Sequence, residues 1–230
     1  MSLLQDQLDD ITMRTRELLQ PERLAISEHA VEDLFASGIE ERILPVGAQA
    51  PEFELMNFNG KPVRLSDLLN FGPVVLKFFR GHWCPYCVTE LEAWRELYEV
   101  LREHGALLAA ISPQTAQQND FMAGRHELPF PVLSDPGCRV ATQFGLSWTV
   151  PEPLRDYYRA IFVDLAFVNG NNGVSKDGKL SDDQGWQLPL PATYVLDSAG
   201  RVVFAEAHAD YRVRPEPDEA MAAVEAASDD

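Results

Sequence analysis

Residues 78–87 read Phe78-Phe79-Arg80-Gly81-His82-Trp83-Cys84-Pro85-Tyr86-Cys87. Upstream, Val74, Val75 and Leu76 join Phe78 and Phe79 in a strand-like apolar run that ends in the turn residue Gly81. Cys84 and Cys87 then stand where a helical pattern begins, with Cys87, Leu91, Trp94, Tyr98 and Leu101 recurring at three- and four-residue steps. Pro85 suits the first helical position, because its missing N–H has no intrahelical partner to lose. The spacing therefore predicts a strand, a tight turn and a helix from about Pro85 to His104, with Cys84 at its cap and Cys87 in its first turn. Backbone N–H groups and the positive end of the helix dipole lie near both sulfurs there and favour thiolate. A Cys-x-x-Cys pair at a strand-to-helix junction implies a redox-active dithiol.

Outward from this unit, strands are expected at 53–55, 62–65, 107–111 and 130–133, and helices across 115–126 and 137–144. Strands alternating with helices imply crossover units and an α/β fold with a mixed, largely parallel central sheet. Residues 146–190 interrupt the rhythm with a helical piece at 151–165. The turn signals Asn169-Gly170-Asn171-Asn172-Gly173 and Asp177-Gly178 follow. Asp182 and Asp183 come next, but their spacing matches no EF-hand calcium loop. After Pro189-Leu190-Pro191, strands at 193–196 and 201–206 form a hairpin about Asp197-Ser198-Ala199-Gly200, and a helix is expected across 216–227.

Residues 1–44 read as a helical extension to a main domain at 45–230. Leu4, Leu8, Ile11, Thr15 and Leu18 fall on one helical face, and Pro21 breaks that pattern. A second helix is expected from about Ser27, as its cap, to Ser37-Gly38. Such amphipathic faces pack on the main domain or, alternatively, form a homodimer contact.

The 230 residues are 46% hydrophobic and 24% charged, enough for a full core. A net charge of -17 argues against nucleic acid and anionic membrane as partners. No apolar run approaches the ~20 residues of a membrane span, and Met1-Ser2-Leu3-Leu4-Gln5-Asp6 lacks the basic start of a secretory signal. Three cysteines make no disulfide framework, and one close pair among them fits a working dithiol in the cytoplasm.

Read from the residues alone, Cys84 lies outside the helix, is exposed and attacks, while the sheltered Cys87 resolves the mixed disulfide. A zinc site would draw on Cys138 and five histidines, none of them paired at ligand spacing. Cys138 reads as a small core residue, His82 as a solvated turn histidine, and Arg80 either as a charge near the thiols or as an ordinary surface arginine.

The segment Trp83-Cys84-Pro85-Tyr86-Cys87 resembles the thioredoxin and glutaredoxin active site. The wider frame resembles the peroxiredoxins of the alkyl hydroperoxide reductase / thiol-specific antioxidant (AhpC/TSA) family. That likeness rests on Gly47-Ala48-Gln49-Ala50-Pro51-Glu52-Phe53-Glu54-Leu55, Val88-Thr89-Glu90-Leu91, Phe130-Pro131-Val132-Leu133-Ser134-Asp135-Pro136, and Thr193-Tyr194-Val195-Leu196-Asp197 up to Gly200. The resemblance implies a thioredoxin-like fold and an antioxidant oxidoreductase that reduces peroxides without metal or organic cofactor. It also implies regeneration by a thioredoxin-, glutaredoxin- or glutathione-type thiol. It places the peroxide-reactive thiol at Cys87, puts Cys84 at the family's threonine and Arg80 at its proline, and puts Pro191 where the family's peroxide-supporting arginine stands. A proline there is the thioredoxin arrangement, which implies a cis Leu190–Pro191 bond beside the dithiol, with Trp83, Pro85 and Tyr86 supporting the site. Asp210-Tyr211-Arg212 and Arg214 also resemble a segment of this subgroup. Two other readings use the same cysteines: a reductase of protein or glutathione disulfides, and a non-catalytic redox sensor or partner-binding switch.

Overall fold

The structure is a computed structural model and describes residues 3–170 and 184–228. Asn171 to Gly173, Asp177-Gly178, Asp182 and Asp183 lie outside the described residues.

The centre is the sheet. Its strands are β1 (Glu54–Asn57), β2 (Pro62–Arg64), β3 (Val74–Phe78), β4 (Leu107–Ser112), β5 (Val132–Ser134), β8 (Ala192–Leu196) and β9 (Val202–Ala207), in the order β2-β1-β5-β4-β3-β8-β9. β3, β4 and β5 are parallel neighbours, while β1, β8 and β9 join as antiparallel flanks. This is the mixed sheet expected from the sequence, its parallel part confined to the middle. Every residue of β3 is buried, including Lys77. Alternation along β3 divides the core. Leu76 and Phe78 pack with α3 (Leu65–Leu69) and α6 (Arg139–Gln143) on one face. Val75 and the following Phe79 pack with α4 (Pro85–Glu103), α5 (Ala116–Arg125) and α9 (Pro217–Ser228) on the other.

The N-terminal helices are α1 (Leu4–Leu18) and α2 (Pro21–Ala36). α1 buries Leu4 and Leu8 in the α4 core, and the Glu216 carboxylate accepts from the Leu4 and Gln5 N–H groups at 3.0 and 2.9 Å. The N-terminal two-thirds of the stripe is the packed part: Ile11 also packs on that core, whereas Leu18 is 84% exposed. The second helix differs from expectation. Pro21 starts it instead of merely ending the first, because proline suits the first helical position. Ser27 is therefore mid-helix and buried, its hydroxyl 2.9 Å from that of Tyr211.

The 146–190 segment has a small core of its own. β6 (Ser147–Thr149) pairs antiparallel with β7 (Gln187–Pro189), a ladder the sequence reading missed because each strand has only three residues. The helical piece is two helices, α7 (Glu152–Ala160) and α8 (Leu165–Val168), separated at Phe162, whose φ is 64°. Leu154, Tyr158, Leu165, Val168, Trp186 and Leu188 pack together there. α7 thereby stands beside the start of α4, with the Tyr158 ring 5.0 Å from that of Trp83.

Candidate active site

The strand, turn and helix fold as the local sequence dictates. β3 ends at Phe78, the chain turns at Gly81, Cys84 takes the N-cap position and Pro85 is the first residue of α4. Gly81 has a φ of 150°, and a Cβ there would lie 2.5 Å from Trp83 Nε1 and 2.7 Å from Gln114 Oε1. Only glycine fits both the backbone and the space. Gly81→Ala is expected to lower stability by about 1–3 kcal/mol, read from urea unfolding; unchanged stability would mean that the turn is not strained.

Both sulfurs are fully buried. For Cys84 this corrects the expectation of an exposed nucleophile: although it lies outside the helix, Arg80, Trp83 and their aromatic neighbours close over it. Cys87 Sγ donates to Cys84 Sγ at 2.9 Å, and Arg80 Nη2 donates to the same sulfur at 3.4 Å. Burial raises a thiol pKa, yet the Cys87 hydrogen bond and the Arg80 and Arg214 charges outweigh it and bring Cys84 down to about 5. Cys87 is pushed well above the ordinary value by burial and by its bond to Cys84. These contacts favour a negative charge on Cys84 over one on Cys87.

Arg80 is a buried component of the site, with Nη1 3.3 Å from the Tyr158 hydroxyl. Its guanidinium carbon lies 3.9 Å from the centre of the Tyr211 ring and 4.9 Å from that of Trp83. The Tyr86 hydroxyl meets that of Thr12 at 3.1 Å, and its ring lies 5.4 Å from that of Tyr211. His82 is partly buried, its N–H and ring held by Gln114 Oε1.

Pro191 is buried and lines a cavity with Arg80, Tyr158 and Tyr211, but its bond to Leu190 is trans, since the described residues contain no cis peptide. The thioredoxin-like expectation fails here for a local reason. The Leu190 N–H donates to Leu146 O at 2.9 Å just beyond the β6–β7 ladder, and trans is the ordinary geometry of an X–Pro bond.

Under Cys87 lies a group that the sequence reading did not assemble. Arg214 Nη2 is 3.8 Å from Cys87 Sγ, and its Nε donates to Glu90 Oε2 at 3.0 Å. The other Glu90 oxygen is paired with Lys77, whose Nζ also reaches Thr193 Oγ1. Lys77, Glu90 and Arg214 are all buried. A lysine inside an otherwise apolar strand, and a glutamate three residues after Cys87 on the inward helix face, were the available signals. Asp210 and Arg212 close the turn that aims Tyr211 and Arg214 inward. Cys138 is buried with Leu76 and Phe78 on the opposite face of the sheet from the dithiol, as a small core residue.

The sequence model of the AhpC/TSA family matches residues 46–205. Peroxiredoxin Q of Arabidopsis thaliana chloroplasts is 34% identical over 128 residues, 56% of each chain. A putative peroxiredoxin of Mycobacterium tuberculosis is 33% identical over 120 residues, 52% of this chain and 78% of the relative. The chain spans about half the length of the chloroplast relatives it matches. Among solved structures, peroxidoxin BcpB from Mycobacterium tuberculosis superposes with a TM-score of 0.58 at 26% identity, over 80% of this chain and 97% of that one. Peroxiredoxin Q of Xanthomonas campestris shares the fold at a TM-score of 0.53 and 16% identity, over 77% of this chain and 90% of that one. With its thioredoxin-like sheet and a dithiol at the β3–α4 junction, the chain belongs to the AhpC/TSA family.

Proposed function

We propose that this protein is a thiol peroxidase in which Cys84 attacks the peroxide and Cys87 closes the disulfide. One observation carries the reading: Cys84 Sγ receives both the Cys87 thiol and the Arg80 guanidinium, in a pocket that exposes neither sulfur. A thiolate so held is ready at neutral pH, and a buried one favours a small oxidant over a folded disulfide partner.

The Cys84 thiolate attacks the terminal oxygen of ROOH, the O–O bond breaks, and Cys84 becomes a sulfenic acid. The leaving alkoxide takes the Cys87 proton and departs as ROH. The new Cys87 thiolate, facing Arg214, attacks the Cys84 sulfur, and the departing hydroxide is protonated from solvent. Two electrons leave the sulfur pair and reduce the peroxide. An external dithiol of the thioredoxin type, or glutathione, restores both thiols. A reducing compartment such as the cytoplasm suits this cycle. No helix among the described residues is long and apolar enough to cross a membrane.

Stopped-flow oxidation with hydrogen peroxide, an organic hydroperoxide and a protein disulfide tests this. Fast oxidation by a peroxide with repeated turnover is expected. Preference for the protein disulfide would make the chain a disulfide reductase, and a single stoichiometric event would make it a sensor.

The rate should also follow the thiolate. The thiolate is the deprotonated form, so the peroxide rate constant is expected to be level above pH 6 and half-maximal near about 5, falling as pH drops further. A midpoint near the ordinary thiol value of ~8.5 would remove Arg80 and the Cys87 hydrogen bond as the activating contacts.

A further inference from the structure

We propose that Tyr158 and Tyr211 are positioning residues that clamp the Arg80 guanidinium against the Cys84 sulfur, so that α7 and α2 complete the reactive centre. This rests on the peroxidase reading above and names what holds its charge in place.

Among the described residues Arg80 has no carboxylate partner, unlike Arg214 on Glu90. Its Nε is buried without a hydrogen-bond partner among the described residues. The contacts that fix it are the faces of Tyr211 and Trp83, the Tyr158 hydroxyl and the sulfur itself. Tyr158 and Tyr211, with Ser27, Leu154 and Pro191, also line the cavity beside the guanidinium. That cavity is only ≈ 10 Å³, about the space of one water, so the guanidinium has nowhere to withdraw. An arginine held by ring faces and one neutral hydroxyl keeps its full charge for the sulfur, because no anion competes for it. Burial raises the Tyr158 phenol, which keeps it neutral.

Each tyrosine depends on an accessory element. Tyr158 lies on α7, seated in the small core of Leu154, Val168 and Trp186. The Tyr211 hydroxyl is tied to Ser27 of α2. The charged and titratable groups around Cys84 are therefore Arg80 on its own turn, Cys87 on α4, Arg214 and Tyr211 after β9, and Tyr158 on α7. Moving α7 would alter the reacting sulfur although α7 contributes no reacting atom.

The test is thiolate absorbance against pH in the full-length reduced protein, with alkylation and mass spectrometry identifying the titrating cysteine. Tyr158→Phe keeps the ring against Trp83 and loses the hydroxyl, so it should fold normally. It is expected to raise the Cys84 midpoint measurably, and Tyr158→Ala to raise it by about one unit or more. The peroxide rate constant at pH 5 should fall in step with the lost thiolate. Wild-type midpoints in both folded Tyr158 variants would overturn the clamp and leave the peroxidase reading standing. A wild-type protein with no acidic thiol would overturn the clamp, and one that peroxide does not oxidise would overturn the peroxidase reading.

Discussion

Cys84→Ser is expected to reduce peroxide consumption by roughly a thousandfold or more, as loss of a nucleophile does. Cys87→Ser should still form one sulfenate on Cys84 and then stop, because no neighbouring thiol remains to close the disulfide. This order departs from the family register, in which Cys87 holds the place of the peroxide-reactive cysteine. The contacts explain the departure. Cys84 accepts from Cys87 at 2.9 Å and from Arg80 at 3.4 Å, whereas Cys87 faces one guanidinium at 3.8 Å and gives its own proton away. A negative charge settles on the sulfur with more and closer donors. Mass spectrometry after one equivalent of hydrogen peroxide decides the matter. A sulfenate in Cys84→Ser, with none in Cys87→Ser, would return the reactive role to Cys87 and overturn the assignment made from the hydrogen bonds.

The parts of this site that were legible in the sequence are those built from near neighbours. A five-residue strand apolar but for Lys77, a glycine turn and Pro85 behind a cysteine specify the β3–α4 junction locally, and both sulfurs follow from it. What stayed illegible was long-range. Arg214 reaches Cys87 across 127 residues and Glu90 across 124, and no periodicity encodes such a pairing. Tyr158 comes from a helix whose place is set by Trp186 and the β6–β7 ladder, both distant in sequence. Exposure misled for the same reason: the N-cap position leaves Cys84 outside the helix, but α7 and the segment after β9 then cover it. The trans Leu190–Pro191 bond shows the converse error. A motif match carried over a backbone detail that this chain does not adopt between β7 and β8. Lys77 was a usable clue, since a charged residue in the middle of a buried strand needs a partner.

Glu90→Gln is expected to have the largest effect on stability of any single change in the site. Glu90 is the carboxylate between two buried cations, Lys77 on β3 and Arg214 after β9. Replacing it leaves both without their counter-charge in a place water does not reach. Breaking a buried pair by removing one partner costs about 3–5 kcal/mol. Arg214→Met should cost less, because the Lys77–Glu90 pair stays neutral without it. The pH dependence distinguishes an electrostatic cause from a packing defect. Burial already lowers the Lys77 pKa below its ordinary 10.5, with Glu90 opposing that shift. Without Glu90 the folded value falls further, so between that value and 10.5 the unfolded chain binds a proton that the folded chain refuses. Stability in this window rises with pH. The deficit of Glu90→Gln relative to wild type should therefore be larger at pH 7 than at pH 9.5. Urea unfolding of both proteins at the two pH values measures it. A deficit that does not change with pH would mean that Glu90 acts by shape alone, and the buried charges would lose their place in the account of how Cys87 is held.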